Sequence, residues 1–171
     1  MIIFLMCTGD NIQKQVEMET SLLAERRRRE FKDGTSEELL DELVMDEEYE
    51  ILFKRLFNEG GAEVVKGISS NYLVGTPTDM EAVWREFPDF SQDRDFYLWL
   101  NMHDDFVLQY KKSIQVKLQQ FLIDYVCWRW LETKSPDDAK TYLARLGVTM
   151  GDIQKLLIRK ERPLRRLPSF P

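Results

Sequence analysis

The stretch Phe121–Lys140, FLIDYVCWRWLETKSPDDAK, decides how the chain folds. Its first half gathers Tyr125, Val126, Cys127, Trp128 and Trp130 around a single Arg129. Upstream, Ile114, Leu118, Phe121, Leu122, Tyr125 and Trp128 recur at helical steps and form one apolar stripe. Val116, Ile123, Val126 and Trp130 form a second. A helix apolar on two sides either lies at the centre of a bundle or turns one side to a partner. The pattern predicts a long central helix over residues 104–134, capped by Asp104 or Asp105. Trp128 and Trp130 are two positions apart and so point about 200° apart on a helix. One belongs in the core and the other near a surface. Arg129 should reach an acid or an aromatic face rather than act in catalysis.

The second half of the stretch reads as the start of another helix. Ser135 is an N-cap, Pro136 takes the first helical position, and Asp137 and Asp138 complement the helix dipole. Ala139, Tyr142, Leu143 and Leu146 supply a buried face, and Gly147 predicts a stop. VTMGDIQKLLIRK then resumes a helix through Ile153, Leu156 and Leu157.

Moving outward, Tyr49, Leu52, Phe53, Leu56, Phe57, Val64 and Ile68 mark an earlier amphipathic helix, opened by a capping box at Thr35 and Glu38. Gly60 and Gly61 lie inside it, at about 1 kcal/mol each in helix propensity. Close approach of another helix, or a kink, would explain them. Residues 11–35 carry helical charge patterning, with Gly34 ending the run. MIIFLMCTGD reads as a short buried strand or an N-terminal arm.

Strand signals are few. Phe96, Leu98, Leu100 and Met102 alternate with Tyr97, Trp99, Asn101 and His103. EAVWREF, residues 81–87, is the expected partner across a polar turn. The predicted fold is therefore mostly α: a small helical bundle with a two-stranded hairpin near residues 80–102. Three regions are expected: an N-terminal arm or helix over 1–34, the core over 35–158, and an extended basic arm over 159–171.

Composition excludes several classes. The chain has 171 residues, 43% hydrophobic and 32% charged, with a formal net charge of −6. That suits one domain with a core and gives no whole-molecule attraction to nucleic acid. Charge is polarised, however. Ten acids face two bases between Thr35 and Glu63, and six bases face one acid between Lys155 and Pro171. Such polarity suits head-to-tail packing or docking on a partner. Cys7 and Cys127 do not make a disulfide framework, and no stretch is long enough to cross a bilayer.

Catalytic and cofactor signatures are missing. The single His103 has no second ligand near it in sequence, and no Gly-rich phosphate loop or nucleophile elbow occurs. Asp89, Asp93 and Asp95 lack the glycine and terminal glutamate of a calcium loop. No enzyme activity, cofactor or metal is expected. Arg26–Arg29 read as a solvated helix end, and the Gly147 segment loosely resembles a helix-turn-helix with Asp152 where base-reading residues would sit.

Taken in order, EEYEILFKRLFNEGGAEVVKGIS, FYLWLNMHDDF, the aromatic helix paired with an Ala-x-x-Tyr helix, and IRKERPLRRLP resemble the small head–tail connector, or head-completion, proteins of tailed phages and prophages. The resemblance covers roughly two thirds of the chain, from about Asp46 onward. It implies a non-enzymatic virion protein that forms a multi-copy ring below the portal and continues the DNA channel. Its partners would be other copies, the portal and tail-side proteins, with non-specific DNA contact in the channel and no membrane. Its place would be the virion, and the bacterial host cytoplasm during assembly. Partner-binding residues would be Arg162, Leu164, Arg165, Arg166, Leu167 and Phe170 of the arm, together with Trp128 and Trp130. The alternative is a helical regulatory or adaptor module, DNA-associated through its arginines. The arm interleaves arginine, proline and apolar residues, the mixture that docks in a partner's groove.

Overall fold

A computed structural model describes residues 1–30, 40–75, 91 and 93–159. Strand β1 (Ile2–Cys7) leads into helix α1 (Gly9–Glu30). A short 3-10 turn at Glu47–Tyr49 opens helix α2 (Glu50–Gly67), followed by β2 (Leu73–Val74) and β3 (Phe96–Asn101). Helices α3 (Tyr110–Leu131) and α4 (Pro136–Leu157) complete the described chain. The fold is mostly helical, as expected, with a small antiparallel sheet against the helices.

The sheet has three strands in the order β1-β3-β2, where two were expected. β3 lies in the middle and pairs along its whole length with β1, from Ile2 opposite Asn101 to Cys7 opposite Phe96. β2 pairs with its other side at Leu100 and Trp99. The alternation in β3 works as its sequence indicates. Leu98 and Leu100 enter the main core with Ile3 and Leu5, while Trp99 joins Phe4 and Met6 on the opposite face. The expected partner strand at 81–87 lies outside the described residues.

Residues 1–30 are part of the same core. Ile12, Val16, Thr20 and Leu23 fall on one buried face of α1. The start of α1 is tied down by Asp95, which accepts the Gly9 N–H at 3.0 Å and the Ser91 N–H at 3.0 Å. A Cβ at Gly9 would overlap the Arg94 carbonyl oxygen, so this approach requires glycine. Thr20 is fully buried because its hydroxyl is doubly used: it donates to Val16 O and accepts from Met45 N–H.

α3 is the central element and packs on α1, α2, α4 and β1. This answers why it is apolar on two sides. It begins at Tyr110, not at Asp104 or Asp105. Phe106 is buried, and the chain turns around it through Phe106 N–H to His103 O and Tyr110 N–H to Val107 O before the helix can start. The glycines of α2 sit where neighbours approach closely. A Cβ at Gly60 would lie 3.0 Å from the Tyr125 ring, and one at Gly61 would lie 2.7 Å from the Phe96 ring.

α4 does not stop at Gly147. It runs unbroken to Leu157, through Gly147 and Gly151. Its buried stripe of Ala139, Tyr142, Leu146, Thr149, Ile153 and Leu157 continues across both glycines. Burying a Leu or Ile side chain contributes about 1.5–3 kcal/mol, more than the roughly 1 kcal/mol a glycine costs a helix. The helix-turn-helix resemblance around Gly147 is thereby removed. The capping box at Thr35 and Glu38, the break at Gly34 and most of the loop after Gly75 fall outside the described residues.

Candidate functional site

The sequence singles out Trp128 and Trp130, and they differ as their spacing requires. Trp130 is 4% exposed. Its indole N–H donates to the Leu43 carbonyl at 2.8 Å, the Tyr49 ring meets it edge-on, and the Lys134 ammonium lies 3.5 Å from its ring centre. Burial lowers the Lys134 pKa there. Trp130 is thus a core residue covered by its own chain, and only Trp128 of the pair keeps exposed surface. Trp128 stands against the Tyr125 ring at 5.5 Å, with the Arg129 guanidinium 5.5 Å from its own ring. Arg129 also pairs with Glu132. Arg162, Leu164, Arg165, Arg166, Leu167 and Phe170 lie outside the described residues.

The arginine run is largely committed to carboxylates. Arg27 donates through Nε and Nη2 to Asp138 Oδ2 at 3.1 and 2.8 Å, and Arg26 reaches Oδ1 at 3.3 Å. The hydrogen bond to Asp138 raises the Arg27 pKa. The Ser135 hydroxyl donates to the same carboxylate instead of accepting a backbone N–H. Asp138 is therefore more than a helix-start charge: it clamps the end of α1 onto the start of α4. Arg28 and Arg29 pair with Asp41 and Glu25 on the surface.

Next to this clamp, α1, α3 and α4 line an open groove that the sequence reading did not single out. Its two halves share Glu19, Thr141 and Arg145. The larger half, about 830 Å³, is lined by Gln120 and Asp124 of α3 and by Ala144, Val148 and Thr149 of α4. Leu22 and Val148 are exposed apolar side chains on its walls.

Asp124 is the unusual member. It is 1% exposed, between the buried Ile123 and Tyr125 of the most apolar part of α3. Its Oδ1 accepts from the Gln120 amide at 3.1 Å and lies 3.8 Å from the Arg145 guanidinium. Its Oδ2 is buried and has no hydrogen-bond partner among the described residues. Burial pushes its pKa up to about 6, opposed by the Gln120 bond and the Arg145 charge. Glu19 faces the same space and, among the described residues, accepts only a long hydrogen bond, 3.4 Å, from the Tyr142 hydroxyl. The sequence signal was available: an acid inside FLIDYVCW, where every neighbour is apolar.

Other candidate chemistry finds ordinary uses. Cys7 and Cys127 are buried free thiols, with burial pushing Cys7 up to about 12 and Cys127 in the same direction. Asp95 serves as a backbone cap, and Asp89 lies outside the described residues. His103 is exposed, with its Nδ1 accepting the Asp105 N–H. Among the described residues, no group of three or more His, Cys, Asp or Glu is placed to hold a metal, and no helix is long and apolar enough to cross a membrane. Compared with family models, curated proteins and solved structures, the chain finds no significant match.

Proposed function

We propose that the chain is a non-enzymatic structural subunit of a phage or prophage virion, part of the head–tail connector ring below the portal. The observation that carries this reading is the ordered set of elements. An aromatic-rich helix, α3, is paired side by side with an Ala-x-x-Tyr helix, α4, and in sequence the basic stretch 159–171 follows α4. The Arg159 guanidinium, just after α4, lies 5.3 Å from the Tyr110 ring at the start of α3. The sequence of the arm combines prolines, which reduce the entropy lost on docking, with apolar side chains and arginines. Its partners in this reading are adjacent copies, the portal and tail-side proteins.

The alternative, a DNA-associated helical adaptor, has less support. Arg26 and Arg27 are held by Asp138, and α4 has no turn at Gly147 to present a recognition helix.

Light scattering of the purified chain at rising concentration, alone and with the portal of the same genome, tests the proposal. Ring-sized species or stable co-purification with portal supports it. A chain that stays monomeric, ignores portal and binds DNA with a steep salt dependence overturns it. Ending the chain after Lys160 should abolish association while leaving the melting transition nearly intact.

A further inference from the structure

We propose that the groove between α1, α3 and α4 is the receptor for the basic segment 160–171 of a second copy of this chain, with an arginine of that segment docking on Asp124. The choice of occupant rests on the reading of the chain as a ring-forming subunit; the groove as an acceptor of cations does not.

The first reason is the uncompensated carboxylate. A buried acid with one oxygen unpartnered is costly, and an apolar or amide side chain at position 124 would cost less. The nearby cations relieve it only in part. Lys140 is held by Asp137 at 2.9 Å, and Arg145 reaches only Oδ1, at 3.8 Å. Arg145 is half exposed beside Oδ1, and docking as proposed requires it to move toward solvent to admit the incoming group. A guanidinium suits the opening because it binds a carboxylate through two parallel N–H bonds, with Glu19 beside it for the remaining donors.

The second reason is the match between groove and segment. Leu22 and Val148 give the groove exposed apolar walls around Glu19 and Asp124. Asp138, which is taken by Arg26 and Arg27, and the cations Arg26, Lys140 and Arg145 also line it. The segment KERPLRRLPSFP offers arginines interleaved with Leu164, Leu167 and Phe170. Neither half has a reason to carry this mixture for solvent alone.

The third reason is position. α3 and α4 run antiparallel, with Asp124 beside Arg145, Lys117 beside Asp152 and Tyr110 beside Arg159. Asp124 lies fourteen residues along α3 from Tyr110, about 21 Å at 1.5 Å per residue. The segment therefore leaves near one end of the helix pair while the groove opens toward the other. Donor and acceptor at separate ends make a heterologous contact, which closes into a ring when the rotation between copies permits.

A fluorescein-labelled peptide of residues 160–171, titrated into the full-length chain and into Asp124→Asn and Glu19→Gln variants, tests this, alongside light scattering of the same proteins. Saturable binding is expected, weakened about tenfold or more by Asp124→Asn and less by Glu19→Gln. A peptide with glutamate at 162, 165 and 166 should not bind. Unchanged affinity in both variants overturns the groove, and if the chain still forms rings the connector reading stands without it. Asp124-dependent peptide binding by a chain that never self-associates keeps the cation site and overturns the second copy as its occupant.

Discussion

Gly60 of α2 faces the ring of Tyr125 on α3 so closely that a methyl group at position 60 would sit 3.0 Å from Cδ1 and 3.3 Å from Leu122 Cδ2. The absence of a side chain sets how near the two helices lie. Gly60→Ala gains about 1 kcal/mol of helix propensity but overfills a packed contact at about 1–3 kcal/mol. The variant should be less stable by roughly 1 kcal/mol in urea unfolding, and Gly61→Ala, pressed on Phe96, should follow it. An increase in stability for both would show that the contact yields freely.

Gly147 gives the opposite expectation. A Cβ there meets nothing within 4 Å, as at Gly151. Gly147→Ala should stabilise the chain by about 0.5–1 kcal/mol, since only the backbone term operates. A loss of stability would mean that α4 does bend at this position in solution.

Asp124 predicts a pH dependence of unusual sign for an acid. Its pKa rises from the ordinary 3.8 to about 6 on folding, so between those values the folded chain binds the proton more tightly. Stability from this group is fully present below about pH 4 and is lost as pH rises through about 6. Asp124→Asn should raise stability at pH 7.5 by about 2–3 kcal/mol and flatten the curve between pH 4 and 7. Denaturant titrations at several pH values check this. A stability difference between the two proteins that stays constant across that range would refute it.

Substituting Asp138, unlike substituting Asp124, should destabilise the chain. It is itself buried and holds Arg27, the Ser135 hydroxyl and the more exposed Arg26. Asp138→Ala strands those donors and should cost about 2–3 kcal/mol, with a lower melting temperature. Arg27→Ala combined with Asp138→Ala should cost less than the sum of the two single changes, because both remove one interaction.

The parts legible in the sequence were those set by local chemistry. The stripes of α3 apart from the exposed Val116, the Ser135–Pro136 start of α4 and the alternation in Phe96–Asn101 follow from spacing, whereas Gly60 and Gly61 stood out in sequence without deciding between close packing and a kink. What escaped depends on distant partners. Nothing within MIIFLMC names residues 96–101 as its pairing strand. Gly147 carries the local mark of a helix stop, and only the buried stripe on both sides of it overrides that mark. Trp130 looked fit for a partner until residues 43 and 49 were seen to cover it. Asp124 was visible as an acid in an apolar run, but its groove needs α1, which lies a hundred residues upstream.

Because Cys7 pairs with Phe96 and Ile2 with Asn101, the sheet cannot form until its middle strand has been made. At about 5–20 residues per second, IIFLMC leaves the ribosome roughly 5–20 seconds before that strand exists. Through that interval a six-residue apolar segment waits unpaired, with the composition that favours cross-β association. The chain's vulnerability during synthesis thus lies in its first strand, and it should depend on translation speed and on holding chaperones far more than its finished stability does.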